Sequence, residues 1–421
     1  MESPLTGLTS SLRLCPAVTN PETDNPPYSP GEVTRLSMAG LGRNIGYGTN
    51  KVFAADLLSG LTRSQPLIGL VLGMEGLWGL ILNPLTGWLS DRYSTRFGRR
   101  RPYILLSTLA GILWVLFSDQ KSLRLAIIFL ISFYFFQQVA PTPLQAWMPD
   151  IIHKRHWGRA SGIVNIWWQV GNLLAFLPIP LLWKAIHGKS FWVVAIIMIG
   201  AGMVTGLTVR ESRPIKTSAE APPQKWLDAN LAKYFAAQFL WWLAFEAMAS
   251  FFTLFVIHTL HGTLIDSALG MTVFTLSAMI VATTFGRLYT RYAPKHLLVI
   301  CMAAFGAIGF TGTIIHRLSL AFVLLFVAGI FWGGIQVVGY PWGSDLLHQT
   351  LPNHTDPTRY YGLLYGMGNL TQSAGLLVAA PVAGFMIFLS HGSYGAIFWV
   401  NVLASALGVL ILATIKEKPP Q

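Results

Sequence analysis

Residues 87–105 read GWLSDRYSTRFGRRRPYIL, with five arginines crowded into ten positions between two apolar runs. A cluster this dense suits a nuclear address, a nucleic-acid patch or the cytosolic margin of a membrane span, and the composition around it decides among them. The 421-residue chain is 11% charged and 53% hydrophobic, with a mean hydropathy of +0.53. A soluble fold is about a quarter charged. So few ionic groups cannot cover this much apolar surface in water, whereas a lipid solvent needs no such cover. The chain therefore reads as all-α and polytopic, with the lipid bilayer as its partner. Its net charge of +12 is a topology signal rather than an affinity for nucleic acid.

A helix crosses the hydrocarbon core in about 20 residues. Twelve windows qualify: 34–60, 66–90, 102–118, 124–149, 159–183, 190–209, 230–260, 264–289, 296–315, 318–343, 359–389 and 393–415. With the amino terminus inside, 21 of the 29 lysines and arginines fall in inner segments and 6 in outer loops. That asymmetry predicts a multi-pass protein, expected in the cell membrane, with both termini cytosolic. It also places the arginine cluster in the cytosolic loop between spans 2 and 3. Residues 1–32 are rich in proline, lack a secretory apolar core and are expected to form a disordered cytosolic tail. Cys15 and Cys301 are too far apart and too differently placed to suggest a disulfide or a metal site.

The two parts of the chain echo each other. Gly87, Leu89 and Arg92 fall on Gly286, Leu288 and Arg291, and Arg159 and Gly162 on Arg359 and Gly362, shifts of 199 and 200 residues. A shared offset with six spans on each side predicts two pseudo-symmetric six-helix bundles, 33–209 and 230–415. The polar, proline-bearing 210–229 reads as a cytosolic linker and 416–421 as a short cytosolic tail.

The motif G-W-L-S-D-R-x4-F-G-R-R-R-P with G-R-A-S-G at 158–162 resembles the major facilitator superfamily. It is most similar to the sucrose-transporter branch, related to the glycoside-pentoside-hexuronide cation symporters. The resemblance implies that Gly87, Asp91, Arg92, Gly98, Arg99 and Arg100 form a cytosolic gate, a latch holding the two bundles together. A carboxylate at an inner helix end can pair with arginine and with a neighbouring helix dipole. In the second half the place of Asp91 is taken by Thr290, so a weaker latch is expected there. Melibiose-type members carry carboxylates where this chain has Asn83 and Gly79, so the resemblance favours protons over sodium.

Ionisable groups within spans are costly, so each is a functional candidate. Span 1 carries the basic Arg43 and Lys51, span 2 carries Glu75 and span 7 carries Glu246. At 1.5 Å per residue, Lys51 and Glu75 lie at similar depth, roughly 12–14 Å from the outer surface, and are expected to pair. Glu246, about half way across, and Glu75 are the proton-coupling candidates. Arg43 is an alternative contact for an anionic solute.

Uncharged amides and aromatics suit a polyol. Asn165, Gln169 and Asn172 share one helical face, and Tyr365, Asn369 and Gln372 occupy repeat-equivalent positions. With Asn50, Gln138, Trp168, Trp241 and Gln336 these are the substrate-binding candidates, alongside Gln137 and Gln145. Close pairs such as Gly42 with Gly46, Gly69 with Gly73 and Gly202 with Gly206 point to helix packing. The sequence lacks a Walker loop, H-E-x-x-H and C-x-x-C. No enzyme activity, cofactor or metal is therefore expected, and transport would draw on a gradient. The expected function is alternating-access symport of a small polar solute, a sugar or glycoside, with a proton, by a monomer. An exporter of amphipathic or anionic compounds and a non-transporting facilitator-like assembly factor are the alternatives.

Overall fold

The computed structural model describes residues 29–93, 95, 97–152, 156–210, 227–351 and 360–416. The expected tail up to residue 28, most of the linker, Arg359 and the last five residues lie outside that set.

Fifteen α-helices occur among the described residues: α1 Pro30–Ser59, α2 Gln65–Arg92, α3 Arg101–Ser107, α4 Leu109–Ser118, α5 Leu123–Val139, α6 Pro141–Ile151, α7 Trp157–Phe176, α8 Pro178–Ile186, α9 Ser190–Thr208, α10 Ala229–His258, α11 Leu264–Tyr289, α12 Pro294–Gly312, α13 Leu318–Thr350, α14 Tyr361–Leu389 and α15 Ile397–Ala413. Local chemistry sets several boundaries. Asp228 caps α10 by accepting from the Leu231 N–H at 2.7 Å, and Thr263 with Asp266 forms a reciprocal capping box on α11.

Three expected spans are each broken in two. Pro141 and Pro178 open α6 and α8 where a missing N–H interrupts the preceding helix. At the α3–α4 break, the Thr108 hydroxyl bonds the Leu105 carbonyl at 2.6 Å, a back-bond that competes with the helical ladder.

Among the described residues, ten stretches are long and apolar enough to cross a membrane, against the twelve expected. The difference has two sources. Residues 159–208 run together as one 50-residue stretch that contains α7, α8 and α9. Helix α1 carries Glu32, Arg35, Arg43, Lys51 and Asp56, too many charges to qualify by hydropathy.

Apart from α2 and α14, helices α1–α9 pack mainly on one another, as do α10–α15. Across the two halves the chief seam is α2 on α14, with smaller contacts of α1 with α10 and α7 with α11. The seam is close because its residues are small. A Cβ on Gly76 would stand 2.2 Å from the Leu377 amide N, and one on Gly69 would stand 2.3 Å from the Ala380 carbonyl O. Backbone can approach backbone at this range only without side chains between them.

Gly76→Val should force the seam apart at a cost of about 1–3 kcal/mol, read as a lower thermal midpoint of the detergent-solubilised protein. An unchanged midpoint would mean the seam is looser than described.

The seam runs from Gln65 and Gly384 to Gly79 and Ser373, along the part of α2 farthest from the arginine loop. That end is also joined by Gln65 Nε2 donating to the Tyr394 hydroxyl at 2.9 Å, and within the C-terminal half His258 stacks on the same tyrosine at 5.0 Å. Toward the arginine loop fewer contacts cross between the halves, the Asn369–Gln145 bond among them. Tyr365 and Gln145 are exposed there, and neither α6 nor α13 packs extensively across the seam.

Candidate functional site

Arg43, Tyr47 and Lys51 recur every four residues on α1 and so project from one helical stripe. The stripe meets α10. Lys51 Nζ lies 2.6 Å from Glu246 Oε2 and 3.7 Å from Glu75 Oε2. The expected Lys51–Glu75 pair is therefore one arm of a triad in which the nearer acid comes from the other half of the chain. Glu75 and Glu246 are 2% and 1% exposed and Lys51 8%, so the charges must satisfy one another.

Supporting bonds hold the triad in place. The Tyr47 hydroxyl donates to Glu246 Oε1 at 2.7 Å, which leaves both Glu246 oxygens engaged. The Lys51 ammonium also lies 5.0 Å from the Tyr47 ring centroid. On the other side, Asn50 Nδ2 donates to Glu75 Oε2 at 3.4 Å, and the Tyr134 hydroxyl donates to Asn50 Oδ1 at 2.9 Å. Asn50, expected to meet solute, is thus buried within the charge network. Tyr47 and Tyr134 carry no charge and went unnoticed in the sequence. The i, i+4 spacing of Tyr47 between Arg43 and Lys51 was the available signal for the first.

Arg43 is only partly buried. Its Nε is enclosed without a hydrogen-bond partner among the described residues, while Gln137 Nε2 donates to its carbonyl at 2.8 Å. A small cavity beside it is lined by Ser107, Thr108, Gln137 and Met198. A larger apolar one lies among Phe252, Phe305 and Phe398. Each is lined by residues of one half alone.

The amide candidates divide. Asn369 Nδ2 donates to Gln145 Oε1 at 2.9 Å across the halves, and Asn172 Nδ2 to Gln169 Oε1 at 2.8 Å. Asn165 turns back to the Ser161 carbonyl of its own helix at 2.9 Å and is exposed. Trp168 is half-buried, with its indole laid over Gly40 so closely that a Cβ there would stand 1.7 Å away. Gln336 and Gln372 are half-buried, Gln336 Nε2 without a partner among the described residues, and Gln138 is buried. Trp241 departs from expectation. It is fully buried against Tyr234 and Gly339, so it packs α10 onto α13 and offers no face to a solute.

At the arginine loop, Gly98 has φ 114°, a left-handed conformation that suits glycine. Paired backbone bonds of 3.0 Å between Thr95 and Gly98 close the turn. The turn brings Arg99 Nη2 to within 2.5 Å and Arg100 Nε to 3.2 Å of Asp150 Oδ2 on α6. Arg100 also donates to the Ser90 hydroxyl at 2.6 Å, and Arg101 to the Val209 carbonyl at 2.8 Å. Arg92 lies 5.5 Å from the Trp88 ring. Gly87 lets α2 approach Thr142 of α6, where a Cβ would stand 2.9 Å from its methyl group.

The side chain of Asp91 lies outside the described residues. The described contacts of Arg99, Arg100 and Arg101 to Asp150, Ser90 and Val209 fall in the N-terminal half, where they tie α2, α3, α6 and α9 to one another. Asp150 was legible after all: Trp147-x-x-Asp150 recurs as Trp342-x-x-Asp345, and Asp345 accepts from the Tyr289 hydroxyl.

Comparison with known proteins adds four findings. A family model described as Major Facilitator Superfamily matches residues 36–355. The General alpha-glucoside permease of Schizosaccharomyces pombe is 28% identical over 204 residues, 42% of this chain and 34% of the permease. Sucrose transport protein SUT1 of Oryza sativa subsp. japonica is 24% identical over 234 residues, 47% of this chain and 44% of that protein. The matches span less than half the length of these relatives. Among solved structures, a mutant of the nucleoside transporter NupG superimposes with a TM-score of 0.73 at 13% identity, covering 92% of this chain and 100% of that one. At that identity the likeness is one of fold.

Proposed function

Because the chain belongs to the Major Facilitator Superfamily, we propose that it is a secondary transporter carrying a small polar solute, a sugar or glycoside, with a proton by alternating access. The observation that carries this reading is Lys51, shared between a carboxylate of its own half and one of the other half. If the halves 33–209 and 230–415 rock apart at this level, the 2.6 Å contact to Glu246 must break while the contact to Glu75 can persist. A proton taken up by Glu246 removes the attraction that opposes this separation. Alternating exposure then lets the same carboxyl load on one side and release on the other.

In this scheme the arginine-loop end faces the cytosol, following the positive-inside asymmetry, and the seam contacts gathered at the other end fit a form open to that side. The intra-half tie of Arg99 and Arg100 to Asp150 keeps the N-terminal helices together as they swing. The names of the α-glucoside permease and the sucrose transport protein support a sugar, and the amides along α7 and α14 suit its hydroxyls.

Counterflow in proteoliposomes with a labelled disaccharide and glycoside panel tests the proposal. Uptake that requires an imposed pH gradient is expected. Flux independent of that gradient removes the proton, and no flux with any sugar removes the assignment.

A further inference from the structure

We propose that the transported solute bears a single negative charge and that Arg43 is the residue that reads it. This rests on the proton-coupled reading above and deepens it. Arg43 stands on the same α1 stripe as Tyr47 and Lys51, two turns from the lysine, yet its situation differs from theirs. Lys51, Glu75 and Glu246 contact one another, and Tyr47 is bonded to Glu246. Among the described residues, Arg43 has no carboxylate within the 4.0 Å of an ion pair, and its enclosed Nε has no acceptor. A guanidinium at membrane depth without a contact partner is tolerated where water or a ligand reaches it. The partial exposure of Arg43 is consistent with that.

Charge bookkeeping gives the chemistry. Lys51 with two ionised glutamates sums to one negative charge, which Arg43 balances from along the stripe. A proton on Glu246 shifts the whole group to one positive charge, and the cation left without contact is Arg43. A monoanion restores neutrality, so proton and anion strengthen each other's binding, a reciprocal coupling. A neutral sugar would leave the surplus charge uncompensated where the local dielectric is low. The planar fork of arginine matches a carboxylate or a sulfate monoester through two parallel bonds.

The test uses the full chain in proteoliposomes and two probes, methyl glucoside and methyl glucuronide, which differ in a hydroxymethyl against a carboxylate. The glucuronide should be preferred roughly tenfold to a hundredfold in counterflow, the range of a charge-assisted bond. Its pH-driven uptake should be indifferent to an imposed membrane potential, because proton and monoanion cancel. Arg43→Gln should erase the preference, and Arg43→Lys should keep part of it.

Equal transport of the two probes, uptake accelerated by an inside-negative potential, or an unchanged preference in Arg43→Gln overturns the assignment of Arg43 while leaving proton-coupled sugar transport standing. If neither probe moves although the protein retains its thermal midpoint, the transport reading beneath it falls as well. Should Arg43→Gln fail to fold, the probe preference and the voltage dependence of the unaltered protein decide the matter by themselves.

Discussion

Replacing Glu246 by glutamine is expected to abolish pH-gradient-driven accumulation of solute while sparing exchange. The substitution keeps the size of the side chain and an oxygen for the Tyr47 hydroxyl, now 2.7 Å from Glu246 Oε1. It removes the charge that draws Lys51 across the seam at 2.6 Å. Lys51 then has Glu75, at 3.7 Å on its own half, as its remaining partner in the triad. The carrier would behave as though permanently protonated: solute still crosses in exchange, but no proton is released to drive the cycle. The check is uptake and counterflow measured on the same preparation. Accumulation that survives undiminished would show that Glu246 is not the proton carrier.

The second large effect concerns stability. Lys51→Met removes the cation between two carboxylates that are 2% and 1% exposed. An uncompensated buried charge costs about 3–5 kcal/mol, so the thermal midpoint should fall steeply. Adding Glu246→Gln to Lys51→Met should recover most of the loss, because Glu75 then keeps Asn50 as a donor and no second acid stands against it. This non-additivity distinguishes an electrostatic triad from general damage to packing. A single variant as stable as the parent would mean that Lys51 does not hold the two acids together.

Much of the helical layout was legible because hydropathy and helix length are local properties. The window 66–90 became Gln65–Arg92, and 264–289 was matched by Leu264–Tyr289. The breaks before Pro141 and Pro178 were there to be read in the prolines, whereas Thr108 gave no comparable warning.

The site was legible in part. Depth along a helix follows from its rise, which aligned Lys51 with Glu75. Which helix of the other half supplies a partner depends on how the halves are rotated against each other, and no sequence period encodes that. Trp241 illustrates the same limit. Helix α10 is 89% buried across its apolar window, so its pattern does not reveal which side would face a solute. The arginine loop was recognised, but the acid its arginines grip among the described residues, Asp150, sits some fifty residues further on, and only the recurring Trp-x-x-Asp could have pointed to it.

The most direct test of the rocking mechanism is a pair of spin-label distances in lipid nanodiscs, with Cys15 and Cys301 replaced by serine. One pair, at exposed Arg63 and His391, spans the seam end; the other, at exposed Thr208 and Tyr292, spans the arginine-loop end. In Glu246→Gln the first distance should lengthen and the second shorten relative to the parent, as the freed halves tip toward the opposite opening. If both distances stay fixed, or change in the same direction, the halves do not rock about the Lys51–Glu246 contact.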